Sequence, residues 1–161
     1  MNEIAPTRAG IDLLQEAMSK LPQARVRTEH KFADGMYLRE YTQFPDMLVV
    51  SKIHKRENFF IVTRGRAWVA QDGALIEIKA GDIMVTKPGT KRAVLTKAEE
   101  VVIVTVHSVG RERNLEVIEK RLTEYEEASL FDVRNNPKPG VLTIDDPVAL
   151  SNDAKEAPCP G

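Results

Sequence analysis

The chain has 161 residues, 42% of them hydrophobic, with 23 Lys and Arg against 24 Asp and Glu for a formal net charge of -1. That size and content suit one domain with a single core and short appendages. The charge balance argues against general attraction to nucleic acid or an anionic membrane, and no run of about 18 apolar residues marks a membrane helix.

The N-terminal stretch Met1-Asn-Glu-Ile-Ala-Pro6 lacks the basic and apolar regions of a secretion signal, so a cytoplasmic origin is expected. Residues 1–24 read as a helical arm. Thr7 is placed to cap a helix whose apolar stripe is Ile11, Leu14, Ala17, Met18 and Leu21, and Pro22 ends it. Such a stripe needs cover, either from the same domain or from a neighbouring subunit.

Residues 25–110 read as β structure. Arg25 to Lys31 and Met36 to Thr42 are two strands joined at Asp34-Gly35, a hairpin signal. His30 falls in one row with Val26, Thr28 and Phe32, where a hydrogen-bonded core role is favoured over a ligand role. After Pro45, Leu48, Val50, Lys52 and His54 alternate with Met47, Val49, Ser51 and Ile53 on opposite strand faces. A dense β run from Phe59 to Thr63 reaches Gly65, read as a tight turn. Asp72-Gly73 marks a second hairpin, and Gly81-Asp82 and Pro88-Gly89 two further bends. Lys91 to Leu95 is another strand. Val101 to His107 is apolar enough to be buried on both faces, with His107 in register with Val101, Ile103 and Thr105. The count comes to about nine or ten strands with frequent turns.

Residues 111–130 change character. Asn114 is placed to cap a helix running to about Ala128, with Leu115, Ile118, Leu122 and Tyr125 as its apolar stripe. Residues 131–161 form an extended, turn-rich arm with Val141 to Ile144 as a short strand. That arm is either a tail or a clasp on another subunit. Cys159 is the only cysteine, so no intrachain disulfide forms, and an exposed, unreactive thiol is the plain reading.

The stretch Ser51 to Val94 resembles the two motifs of the cupin superfamily, which implies a jelly-roll β-barrel. The motif frame is present at Gly65, Gly81, Asp82, Pro88 and Gly89. The resemblance puts Lys52, His54 and Asn58 where cupins carry His, His and Glu, and Arg92 where they carry a last His. One of the four metal ligands is left. A divalent ion there wants neutral imidazoles and carboxylates at about 2.0–2.2 Å, and two cationic side chains in its shell repel it. No metal or other cofactor is therefore expected. Any reduced site would have to use His54 and His107. Phrases such as Arg27 to Tyr37, Lys52 to Glu57, Pro88 to Arg92 and Val104 to His107 further resemble cupin-like proteins of tailed bacteriophages.

The expected fold is mainly β: a cupin-like jelly-roll barrel with an N-terminal helix, a C-terminal helix and an extended C-terminal arm. The resemblance, the lost ligands and the two appendages together point to a non-enzymatic, homo-oligomeric structural protein, a virion component made in the bacterial host cytoplasm, with other phage structural proteins as partners. Two alternatives stay open. Lys52, His54, Asn58 and Arg92 would line an anion-friendly barrel mouth and bind a small anionic metabolite or sugar. A degenerate metal-dependent enzyme is the other. Against both stands the plainer arrangement in which Lys52 and Arg92 pair with Glu57 or Asp82 at the rim. No Gly-x-Ser-x-Gly elbow or P-loop is present.

Overall fold

The computed structural model describes residues 6–144, so Cys159 and the arm beyond Ile144 lie outside the described residues. Two helices, α1 (Arg8–Met18) and α2 (Leu115–Leu122), flank eight strands. These are β1 (Arg27–Ala33), β2 (Met36–Gln43), β3 (Leu48–Val50), β4 (Asn58–Gln71), β5 (Ala74–Lys79), β6 (Ile83–Thr86), β7 (Ala93–Leu95) and β8 (Val101–Ser108). All pair antiparallel, in the order β1-β2-β8-β4-β7-β3, with β5 and β6 added to β4. The curled sheet is the jelly-roll architecture expected from the sequence.

Hairpin chemistry fixes the register. Asp34 and Gly35, like Asp72 and Gly73, all have positive φ, as a two-residue type I′ turn requires. β1 accordingly starts at Arg27 and runs to Ala33, two residues later than the sequence pattern suggested, because the turn dictates the pairing of Ala33 with Met36. β8 lies between β2 and β4, and Val101 to Thr105 are buried without a break, as its continuous apolarity predicts. One end of the curl is packed dry by Phe60, Val62, Ala67, Val69, Ile78, Val94, Val101 and Ile103.

Gly65 is not a turn. β4 runs through it for 14 residues, with a bulge between Val62 and Arg64 where it pairs with β8. Gly65 has φ 77°, and a Cβ there would meet the Glu100 carbonyl oxygen at 1.9 Å. The glycine serves close approach of two backbones rather than reversal of the chain. Its position divides β4, whose first half pairs with β6 and β8 and whose second half pairs with β5 and β7. The nine or ten strands expected become eight among the described residues, since the segment Leu48 to His54 is regular only to Val50 and Val141 to Ile144 contributes a single bridge, Gln23 to Thr143.

Helix α1 is capped by Thr7, whose Oγ1 accepts from the Gly10 amide. It docks on its own domain: Ile11 is 2% exposed, and buried Lys91 reaches out to Asp12 at 2.6 Å and Gln15 at 2.5 Å. Leu21 lies beyond the helix and is exposed. Helix α2 is capped by Asn114 as expected but stops at Leu122 instead of Ala128. Thr123 turns extended and bridges to His54, and the Glu124 amide donates to the Ile53 carbonyl, so tertiary pairing outcompetes the helix ladder. Tyr125, assigned to the helix stripe, is 87% exposed as a result.

Candidate functional site

The concave side of the sheet opens onto a cavity of about 1060 Å³. On β2, Tyr37, Arg39 and Tyr41 alternate with Leu38 and Glu40, and the first set lines the cavity. Pairing with β8 sets Arg39 opposite Thr105 and Tyr37 opposite His107, both of which also line it. Phe60 of β4, Val94 of β7 and the segment from Met47 to His54 complete that wall, and Arg92, Lys52 and Glu119 of α2 reach it from the rim.

Three of the four residues singled out from the sequence, Lys52, His54 and Arg92, line this one cavity, and Asn58 joins them through His54. The Asn58 amide nitrogen lies 3.3 Å from His54 Nδ1, which accepts from it in the tautomer protonated at Nε2, and Asn58 Oδ1 is buried with no partner. His54 stacks on His107 with ring centroids 5.9 Å apart and planes 15° apart. His107 Nε2 meets Thr105 Oγ1 at 3.0 Å, and its ring stacks in turn on Tyr37 at 5.7 Å. Tyr37 continues the column to His30, whose Nδ1 shares a 2.8 Å hydrogen bond with the Tyr37 hydroxyl. His30 is hydrogen-bonded as expected, but it is half-buried rather than a core residue.

The rim pairing expected for the cations is corrected. Lys52 pairs with Glu119 at 2.6 Å, because the end of α2 packs against the irregular segment that carries Lys52. Glu57 is exposed, and Asp82 is occupied in accepting from the Lys79 amide at 2.9 Å. Arg92 is only 3% exposed. Its guanidinium donates to Thr86 Oγ1 at 2.8 Å and to Gln71 Oε1, and lies over the Phe60 ring at 4.6 Å. Among the described residues, neither Arg92 nor Arg39 forms an ion pair with a carboxylate, and the Arg39 Nε is buried without a hydrogen-bond partner.

Burial and the two guanidiniums act together on the titratable groups. Desolvation, then Arg92 and Arg39, hold His54 down to about 4. Desolvation, then His54 and Arg39, hold His107 down to about 3. Burial pushes Tyr41 up to about 12, against the pull of Arg39 and Arg92. At neutral pH the cavity therefore presents two neutral imidazoles, a neutral phenol and two guanidiniums.

The cupin resemblance implies a divalent ion, and this donor set does not fit one. The two imidazoles face each other ring to ring, so their in-plane lone pairs do not converge. His107 Nε2 is engaged with Thr105, and the three remaining ligand positions hold an ammonium paired to Glu119, the Asn58 amide and a guanidinium. Among the described residues no group of three His, Cys, Asp or Glu is arranged to hold a metal ion. Sequence reasoning missed Arg39, Tyr37, Tyr41 and Glu119. The pattern Tyr37-x-Arg39-x-Tyr41 was a usable signal, since period two places an arginine on a face shared with two aromatic residues.

Neither a protein-family model nor a curated protein sequence matches the chain. Solved structures do. A conserved protein with a double-stranded β-helix domain from Klebsiella pneumoniae is 19% identical, with a TM-score of 0.48 over 68% of this chain and 94% of that one. A Cupin 2 conserved barrel domain protein from Salinispora arenicola is 20% identical, with a TM-score of 0.45 over 50% of this chain and 73% of that one. A DMSP lyase from Ruegeria pomeroyi is 13% identical, with a TM-score of 0.48 over 56% of this chain and 50% of that one. At these identities and scores the likeness concerns the barrel alone.

Proposed function

We propose that the chain is a binding module for a small anionic molecule held inside the barrel. The observation that carries this reading is Arg92, a guanidinium 3% exposed with no carboxylate partner among the described residues, on the wall of a cavity of about 1060 Å³. Taking a cation out of water costs several kcal/mol unless an anion compensates it. Arg39 lies two residues from Tyr41 on β2, lines the same cavity as His54 and adds a second positive charge. Neutral His54 and His107 supply neutral polar groups, which suits a carboxylate, phosphate or acidic sugar.

Thermal-shift and calorimetric titration of the full chain with a panel of carboxylates and phosphates tests the reading. A ligand at 100 times its Kd stabilises by about 2.7 kcal/mol. Arg92→Met removes the buried charge but leaves Thr86 Oγ1 and Gln71 Oε1 without their donor, so it is expected to cost the free protein about 1–3 kcal/mol and to abolish the response to anions. A panel with no response, or a variant that responds as the parent does, overturns it.

A second reading, the oligomeric structural protein, draws on a different observation. Phe59, Ile83 and Val85 lie on the outer face of β4 and β6, with Phe59 opposite Val85, and all three are at least 50% exposed. An exposed apolar cluster on a sheet favours burial against another copy. Light scattering after size exclusion should give a multimer that Ile83→Lys dissociates, and mass spectrometry of purified phage particles should find the chain. A monomer at micromolar concentration removes this reading.

A further inference from the structure

The cavity has two ends of different polarity. At one end are Arg39, opposite Thr105 across β2 and β8, and Arg92, whose guanidinium lies over Phe60, itself opposite Thr105 across β4 and β8; His54 and Tyr41 line the same cavity. From His54 the ring column runs through His107 to Tyr37. Tyr37 belongs to a separate apolar cluster with Val109, Ile118 and Leu122, against which Phe32 and Leu115 pack. Tyr37, Leu115, Ile118 and Leu122 all line the cavity, and Leu130 and Phe131 of the segment after α2 line it too. Polarity therefore falls along the column, from two guanidiniums to a wall of aliphatic and aromatic groups.

Size points the same way. The cavity volume of about 1060 Å³ stands at the top of the roughly 300–1,000 Å³ that enclose drug-sized ligands. A two- to four-carbon acid would meet the arginines and leave the Tyr37 end untouched. We infer that the ligand class is an amphipathic organic acid, with its carboxylate between Arg39 and Arg92 and its hydrocarbon body along His107 and Tyr37 towards Ile118, Leu122 and Phe131. This rests on the anion reading above and extends it to the substrate's other half. The imidazole and phenol rings suit the junction, since their faces pack on methylenes while their edges offer polar atoms.

Calorimetric titration of the full chain with succinate, hexanoate, decanoate and 1-decanol separates the two claims. Each methylene moved out of water tightens binding by up to about fourfold. Decanoate is therefore expected to bind more than tenfold tighter than hexanoate, with succinate weaker than both. Arg39→Gln, at a side chain that makes no hydrogen bond through its Nε, is expected to weaken decanoate at least tenfold and leave decanol unchanged. Succinate or hexanoate binding as well as decanoate overturns this inference and leaves the anion reading standing. Decanol binding as well as decanoate in the parent chain overturns both; an absence of binding by all four overturns this inference, and the anion reading falls with it only if the phosphate panel is silent too.

Discussion

The two ends of the barrel are built from the same strands and differ in what those strands turn inward. On β8, Val101 and Ile103 belong to the packed end, while Thr105 and His107, on the same face, line the cavity. On β4, Val62 sits in the packed core, Phe60 belongs to both core and cavity wall, and Asn58 two residues on is buried with an orphaned carbonyl oxygen. A step of two residues along a strand, about 7 Å, is enough to pass from core to site. Stability and recognition are thus separated along the strand axis, and substitutions at the two ends should have different signatures.

The largest effect is expected at the seam between strands. Gly65→Ala puts a methyl group against the Glu100 carbonyl and a side chain at φ 77°, which should cost roughly 4 kcal/mol through left-handed strain and a broken β4–β8 ladder. Chemical denaturation reads this directly, and a variant as stable as the parent would show that the backbone approach is not tight. Ile103→Ala at the packed end, where the side chain is fully buried, should cost about 2–5 kcal/mol and leave ligand response intact once the variant is folded.

The cavity end should answer to acid instead. His54 and His107 titrate in the folded chain near 4 and near 3, below the roughly 6.5 of a free imidazole. The unfolded chain therefore takes up protons first as the pH drops. Their contribution is complete above about pH 6.5 and is lost as the pH falls from there towards 4. Melting temperature measured from pH 7.5 to 4 should decline across that window, and His54→Gln should flatten the decline. A parent protein whose melting temperature holds level from 6.5 to 4.5 would contradict the burial of these rings. The smallest effect is expected at Lys52→Ala, where the partly exposed pair with Glu119 contributes about 1 kcal/mol or less, checked by the same denaturation measurement.

Much of the scaffold was legible because local chemistry and fold agree. Asp34-Gly35 and Asp72-Gly73 announce their turns, Asn114 and Thr7 announce their helices, and the apolarity of Val101 to Thr105 announces a central strand. Gly65 misled because positive φ serves turns and bulges alike, and only the neighbouring strand shows which. The end of α2 was hidden for a similar reason, since Thr123 leaves the helix to pair with His54, which lies 69 positions earlier by residue number. In the site, the motif resemblance grouped Lys52, His54 and Arg92, which line one cavity, but the partners Glu119, Gln71 and Thr86 come from elements whose proximity no local pattern records.

The division of β4 at Gly65 has a mechanical consequence. One continuous chain segment serves as rail for both layers, gripped by β6 and β8 on one length and by β5 and β7 on the next. Neither layer can slide past the other without tearing that shared rail. Among the described residues, the strands held by a single partner are β1, β3, β5 and β6. Local opening is therefore expected first at those strands and last along β4.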